Sequence, residues 1–127
     1  MTQTSPVSLL GGKVRSLTYI LTYAAQAAGS ITLDGLILPK GARFLCALFN
    51  ADTSSGSTTL ALGISGSTAK YTAAAALTAT DTPTWRAKAA VQGVALTAAE
   101  QLLLTTAAAT APASGTLAIT VFYVDNS

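Results

Sequence analysis

The decapeptide GTLAITVFYV, residues 115–124, sets Leu117, Ile119, Val121 and Tyr123 against Thr116, Ala118, Thr120, Phe122 and Val124. A period of two sustained over that length is the pattern of a β-strand with one face in a core. The pattern recurs along the chain. VRSLTYILTY places Leu17, Tyr19, Leu21 and Tyr23 on one side and Thr18, Ile20 and Thr22 on the other. SITLDGLILP alternates likewise through a bulge or bend at Asp34-Gly35. Pro39-Lys40-Gly41 then turns the chain, the proline ring presetting the first corner. In RFLCALFN both faces are apolar, with Phe44, Cys46 and Leu48 opposite Leu45, Ala47 and Phe49, which predicts a central strand covered on both sides.

NADTSSGST reads as a polar loop, after which TTLALGI returns with Leu60, Leu62 and Ile64 facing one way. Between 66 and 99 the signal is diluted, because AKYTAAAALTAT and TWRAKAAVQGVAL keep strand-like alternation while their alanines favour helix. In LTAAEQLLLTT, Thr97 and Glu100 have the spacing of a helix capping box, whereas the threonines after LLL favour a strand. A short turn followed by a strand at 101–106 is the reading adopted. Seven to nine short strands separated by Gly, Pro, Ser and Asp turns predict an all-β fold, an antiparallel β-sandwich or jelly roll. Residues 13–127 form its single domain, behind a flexible arm at 1–12 that holds Pro6, Gly11 and Gly12.

Of the 127 residues, 26 are alanine and 20 threonine, so the nominal 50% hydrophobic content overstates the core. Only 9% of residues are charged, against about a quarter in ordinary soluble domains. A surface coated with Thr, Ser, Ala and Gly resists association poorly, and copies of the chain or a partner are expected to cover much of it. The net charge of +2 is spread over seven cations and five anions, too diffuse for the basic stripe that nucleic acid requires. The start MTQTSPVSLLGGKVR lacks the pattern of a secretory leader, and no apolar run reaches the roughly 18 residues of a membrane span. A cytosolic site of synthesis with no membrane partner is therefore expected. Cys46, alone in the sequence, forms no intrachain disulfide and reads as a small core residue.

Chemistry is scarce. With no histidine the chain lacks the usual general base and the commonest transition-metal ligand. The acids are Asp34, Asp52, Asp81, Glu100 and Asp125, mostly in turns, where they cap and solubilise. Asp52-Thr53-Ser54-Ser55 and Thr80-Asp81-Thr82 are the local candidates for calcium, and neither has the acid density a site needs. No catalytic residue, metal or cofactor is expected. Trp85, between Arg86 and Lys88, is a core residue, a stacking plane for a sugar ring or an intersubunit contact. Arg86 and Lys88 would share a strand face, as would Lys13 and Arg15, giving small cationic patches suited to an acidic protein surface.

The phrases LPKGARFLCALFNAD, TTLALGI, AKY, LTAAEQLLLTT and GTLAITVFYVD span about residues 31 to 125. In these and in its alanine- and threonine-rich style the chain resembles the small virion proteins of tailed bacteriophages, in particular capsid decoration (cement) proteins. The resemblance implies a compact sandwich, assembled in the host cytoplasm, that sits as a homotrimer on the outer capsid surface and braces the major capsid protein. It carries no catalytic residues. The candidate partner contacts are Lys13, Arg15, Trp85, Arg86 and Lys88, with the 1–12 arm as the docking element. An alternative is a tail-fibre or head-fibre adhesin that meets host glycan through Trp85 and Tyr71. A glycosidase would need two of the acids at a separation that only the fold reveals.

Overall fold

The computed structural model describes residues 13–125, and the arm expected at 1–12 lies outside them. The described residues contain eight strands and no helix: β1 (Lys13–Thr22), β2 (Gly29–Leu38), β3 (Arg43–Ala51), β4 (Thr59–Gly63), β5 (Ala75–Ala76), β6 (Thr84–Arg86), β7 (Glu100–Ala107) and β8 (Thr116–Asp125). They form two four-stranded sheets, β1-β8-β3-β6 and β2-β7-β4-β5. Within them β1 pairs with β8, β2 with β7, β3 with β6 and β4 with β5, all antiparallel. This nesting is what one long antiparallel ribbon produces when it is wound into two facing sheets, and it is the jelly roll.

The alternation read from the sequence accounts for the core. Leu117, Ile119, Val121 and Tyr123 of β8 point inward against Leu33, Leu36 and Leu38 of β2, Leu60 and Leu62 of β4, and Leu102 and Leu104 of β7. The register of β2 on β7 shifts between Thr32 and Ile37, around Asp34-Gly35. Gly35 sits there at φ +85°, a conformation that costs glycine little and other residues more. The shift brings both Leu33 and Leu36 into the core, which strict alternation would forbid.

In β3 the structure corrects the assignment of faces. A bulge between Phe44 and Cys46 shifts its register on β8, so Phe44, Ala47 and Phe49 all point inward while Cys46 and Leu48 turn out. The strand is central, between β8 and β6, but its outer side stays partly open to solvent. Residues 66–99 also depart from the expected alternation, since only Ala75–Ala76 and Thr84–Arg86 are strands there. Alanine offers too little area for a strand to be held by packing, and the rest of the segment is pinned by isolated hydrogen bonds. The ambiguous 97–106 stretch resolves as β7, without a helix.

At one pole, the β1–β2, β3–β4, β5–β6 and β7–β8 connections are laced together. Tyr23 N–H donates to Gly115 O at 2.8 Å, Asp81 N–H to Ala51 O at 2.7 Å and Ala111 N–H to Gln26 O at 2.9 Å. Buried hydroxyls do the same work: Ser55 Oγ donates to Thr58 O and accepts from Leu77 N–H, at 2.9 and 2.8 Å. At the other pole the β6–β7 connection runs beside the start of β3, with Leu96 N–H on Ala42 O and Gly93 N–H on Phe44 O at 3.0 and 2.8 Å.

Candidate assembly interface

The structure separates the residues singled out from the sequence. Lys13 and Arg15 lie at the start of β1, opposite Asp125 and Tyr123 of β8. Arg15 Nε stands 3.2 Å from Asp125 Oδ2, an ion pair at the rim of the sandwich. Trp85 and Arg86 are on β6, at the opposite edge of the same sheet, and Lys88 follows beyond the strand. The cations of β1 and β6 therefore form no joint patch.

Trp85 and Arg86 also part company, because neighbours on a strand point to opposite faces. Arg86 pairs with Ala47 and turns inward. Its Nη1 donates to Leu60 O at 3.3 Å and Ala75 O at 3.1 Å, its Nη2 to Ala76 O at 3.1 Å, and its guanidinium lies 5.0 Å from the Phe49 ring centroid. Arg86 thus straps β6 of one sheet to β4 and β5 of the other, and burial pulls its pKa below the usual arginine value. Lys88 is half-buried, with its backbone N–H on Tyr71 O.

Trp85 pairs with Leu48, faces outward, and is 59% exposed, which excludes the core assignment for it. Its ring lies 5.6 Å from that of Phe122, tilted by 38°. The register carries the row further: Trp85 and Leu48, then Thr120, then Thr18 cross the whole outer face of the β1-β8-β3-β6 sheet. On either side of this row stand Ile20 and Val14 of β1, 58% and 66% exposed, with Cys46 and Phe122 between the edges. Burial raises the Cys46 thiol pKa, so it stays protonated and apolar at neutral pH.

Sequence reasoning named only Trp85 on this face. The missed signal lay in RFLCALFN, where apolar residues on both sides meant one core face and one outer face that none of the described residues covers. A second cue was Ile20, Phe122 and Val14 at positions where a solvated sandwich strand carries polar residues.

The outer face of the second sheet differs. Past the two residues of β5, residues 64–72 border β4 and pass over Gly63, and Ala61 is only 4% exposed. Tyr71 N–H and Thr72 N–H both bond to Leu62 O, and Thr72 Oγ1 accepts from Leu62 N–H at 2.9 Å. Beneath this segment Tyr71 is fully buried, its ring 4.7 Å from that of Phe44. Tyr71 OH donates to Glu100 Oε1, and Lys70 Nζ lies 2.5 Å from Glu100 Oε2. Burial, then the hydrogen bond to Glu100 and its charge, push the Tyr71 pKa well above the usual tyrosine value. Beside this triad a half-open pocket of about 120 Å³ is lined by Val91, Val94, Leu96 and Thr97. Both Glu100 oxygens are engaged, so its role here is to fasten the 64–72 segment to the start of β7.

The calcium candidates resolve into a cap. Asp52 Oδ1 accepts from Thr116 N–H at 2.8 Å and from Thr53 Oγ1 at 3.0 Å, and these bonds hold its pKa below the usual carboxylate value. Among the described residues no three or more His, Cys, Asp or Glu gather where they could hold a metal.

No protein-family model matches the chain, and no curated protein is similar to it in sequence. Solved structures that share its shape include chains of three phage capsids. A chain of the capsid of Ralstonia phage GP4 aligns at a TM-score of 0.71 and 23% identity, over 98% of this chain and 92% of that one. A chain of the cyanophage Pam1 capsid asymmetric unit aligns at 0.68 and 21%, over 98% and 93%. A chain of the acidic stable capsid of Helicobacter pylori bacteriophage KHP30 aligns at 0.61 and 16%, over 91% and 94%. At these identities the likeness establishes the fold: the jelly roll of this chain is one that chains in three phage capsids also adopt.

Proposed function

We propose that this chain is a structural protein of a phage virion, a capsid decoration protein that binds the outside of the head as a homotrimer, braces the major capsid protein and is assembled in the host cytoplasm. The observation that carries this reading is the alignment, over more than nine-tenths of both chains in each case, with chains of three phage capsids. The outer apolar face of one sheet and the strapped, hydrogen-bonded polar groups support it, since a protein that acts by binding an assembled state needs surface and rigidity. Purified protein added to undecorated capsids is expected to bind saturably and to raise their resistance to heat. Protein that stays in the supernatant at every concentration overturns the reading.

One observation favours a second reading, a fibre adhesin for host glycan. Trp85 is exposed beside a shallow groove of about 280 Å³ lined by Thr72, Arg86 and Lys88. Tyr71, the other aromatic expected to meet the sugar, is fully buried and contributes nothing to such a contact. Glycan-array binding that is lost in Trp85→Ala would establish this alternative.

A further inference from the structure

A sheet ends in strands whose outer N–H and C=O groups lack partners, and proteins ordinarily blunt such edges with bulges, prolines or very short strands. Among the described residues the outer edges of both sheets are blunted in this way, except one. β5 and β6 have only two and three residues. β2 keeps a regular register on β7 only over Gly29–Thr32 and Ile37–Leu38, with the Asp34-Gly35 bulge between. β1 differs: its ten residues stay in unbroken register with β8 from Lys13 to Thr22, with neither proline nor bulge.

The hydrogen bonds at the end of the strand show which groups face the open side. Tyr23 N–H donates to Gly115 O, and Asp52 N–H to Thr116 O, each extending its ladder on β8 by one pair. Odd residues of β1 therefore bond to β8, and even residues turn their backbone groups away from it. Thr22 O is occupied by Gln26 Nε2 at 3.0 Å. Val14, Ser16, Thr18 and Ile20 remain, and their side chains share the outer face of the sheet, where Val14 and Ile20 are exposed.

We infer that the free edge of β1 pairs with β1 of a second copy, antiparallel about a two-fold axis at Leu17. Directly opposite residues point to the same side of a sheet, so both cores stay on one side only when even residues face even and odd face odd. Of the registers that meet this condition, the one centred on Leu17 sets Val14 opposite Ile20, Ser16 opposite Thr18, Arg15 opposite Tyr19 and Leu17 opposite itself. It forms about eight backbone hydrogen bonds, all of them from the four residues that lack them. Apolar meets apolar, hydroxyl meets hydroxyl, and a cation meets an aromatic ring. The Arg15 residues of the two copies stand about 13 Å apart along the strands, farther than the roughly 8 Å over which charges act at physiological salt. Sliding the strands by two residues either way sets Val14 opposite a threonine, Thr18 or Thr22, and an in-register parallel pairing brings the arginines together. β1 is thus complementary to itself, and that complementarity names the occupant of its edge. The pairing goes beyond the decoration reading and does not rest on it: a two-fold joins copies in pairs, and in a layer of trimers it would link each trimer to its neighbours.

The test traps the pairing with a disulfide in the full-length protein. With Cys46 replaced by serine, Leu17→Cys places two thiols at a pair without backbone hydrogen bonds, where a Cα separation of about 4.5 Å suits the bond. Mild oxidation is expected to link this variant into dimers at least about 10-fold faster than Thr32→Cys, which is exposed on the second sheet. Thr18→Cys is expected to link more slowly than Leu17→Cys. Ile20→Lys puts at an exposed position the residue that guards natural edges, and is expected to bring the Leu17→Cys rate down to that of Thr32→Cys. In the otherwise unaltered protein, with Leu17 in place, Ile20→Lys is expected to at least halve the mass read by light scattering. A mass that Ile20→Lys leaves unchanged, or equal rates for Leu17→Cys and Thr32→Cys, overturns the inference, and a fastest rate at Thr18→Cys overturns its register. Cross-linking that appears only once residues 1–12 are removed gives the edge to that segment and likewise overturns the inference. Capsid binding is read separately. Protein that pairs through β1 but never binds capsids removes the decoration reading and leaves the edge assignment standing, whereas capsid binding without pairing in either assay does the reverse.

Discussion

Gly63 shows how a single missing side chain positions a whole segment. A Cβ built at this residue would stand within about 2.5 Å of the Thr68 backbone, where the 64–72 segment passes over β4. The backbone there cannot yield as a flexible side chain would, because Tyr71 and Thr72 fasten the segment to Leu62. Gly63→Ala is therefore expected to cost about 1–3 kcal/mol, the usual penalty of overpacking, and to loosen Tyr71. Denaturant unfolding gives the first quantity. Hydrogen exchange at Tyr71 and Thr72 gives the second, and unchanged protection at both amides would rule out this role for Gly63. Nothing in the sequence announces the contact, since a glycine at a strand end ordinarily signals a turn.

Among elements, the contrast is between strands that are held by packing and strands that are tied. β1, β2, β4 and β8 were legible as sequence because leucine, isoleucine, valine and aromatics alternate along them, β3 as an apolar run and β7 only against a competing helix cap, and the structure places them at or within a residue or two of the expected positions. β5 and β6, of two and three residues, were not legible. Alanine-rich stretches bury too little area to declare a period, and their position depends on the Arg86 strap, which pattern reading cannot foresee. The strap has a measurable consequence. Arg86→Ala removes charge-assisted bonds to Leu60, Ala75 and Ala76 carbonyls and the contact with Phe49, and is expected to cost about 2–3 kcal/mol. Arg86→Lys, with one ammonium in place of a planar fork, is expected to recover less than half of that. Equal stability of the lysine variant and the unaltered protein in urea would show that the fork geometry is unimportant. The candidate interface was legible only at Trp85, because the bulge in β3 reassigns which of its apolar residues face outward.

At the scale of the whole molecule, the absence of histidine and the few shifted groups set the response to pH. Asp52 has a folded pKa below its unfolded one, so its contribution is present above the unfolded value and lost as pH falls through the folded value. Cys46, Tyr23 and Tyr71 have raised pKa values, so theirs is present below the unfolded values and lost as pH rises beyond them. Stability is expected to be flat between about pH 5 and 8, to fall below about pH 4, and to fall again above about pH 8.5 as unfolded thiol and then phenols ionise. Thermal melts across this range check it, and a step near pH 6.5 would contradict it. Asp52→Asn should flatten the acid limb.

β8, the last of the described strands, lies between β1, the first of them, and β3. During synthesis β1 waits for a neighbour roughly a hundred residues away along the chain, so its sheet stays open until residues 116–125 have left the ribosome. The inward row of β1 thus stays uncovered while the whole span between the two strands is made, an interval in which nascent chains are most prone to stick to one another.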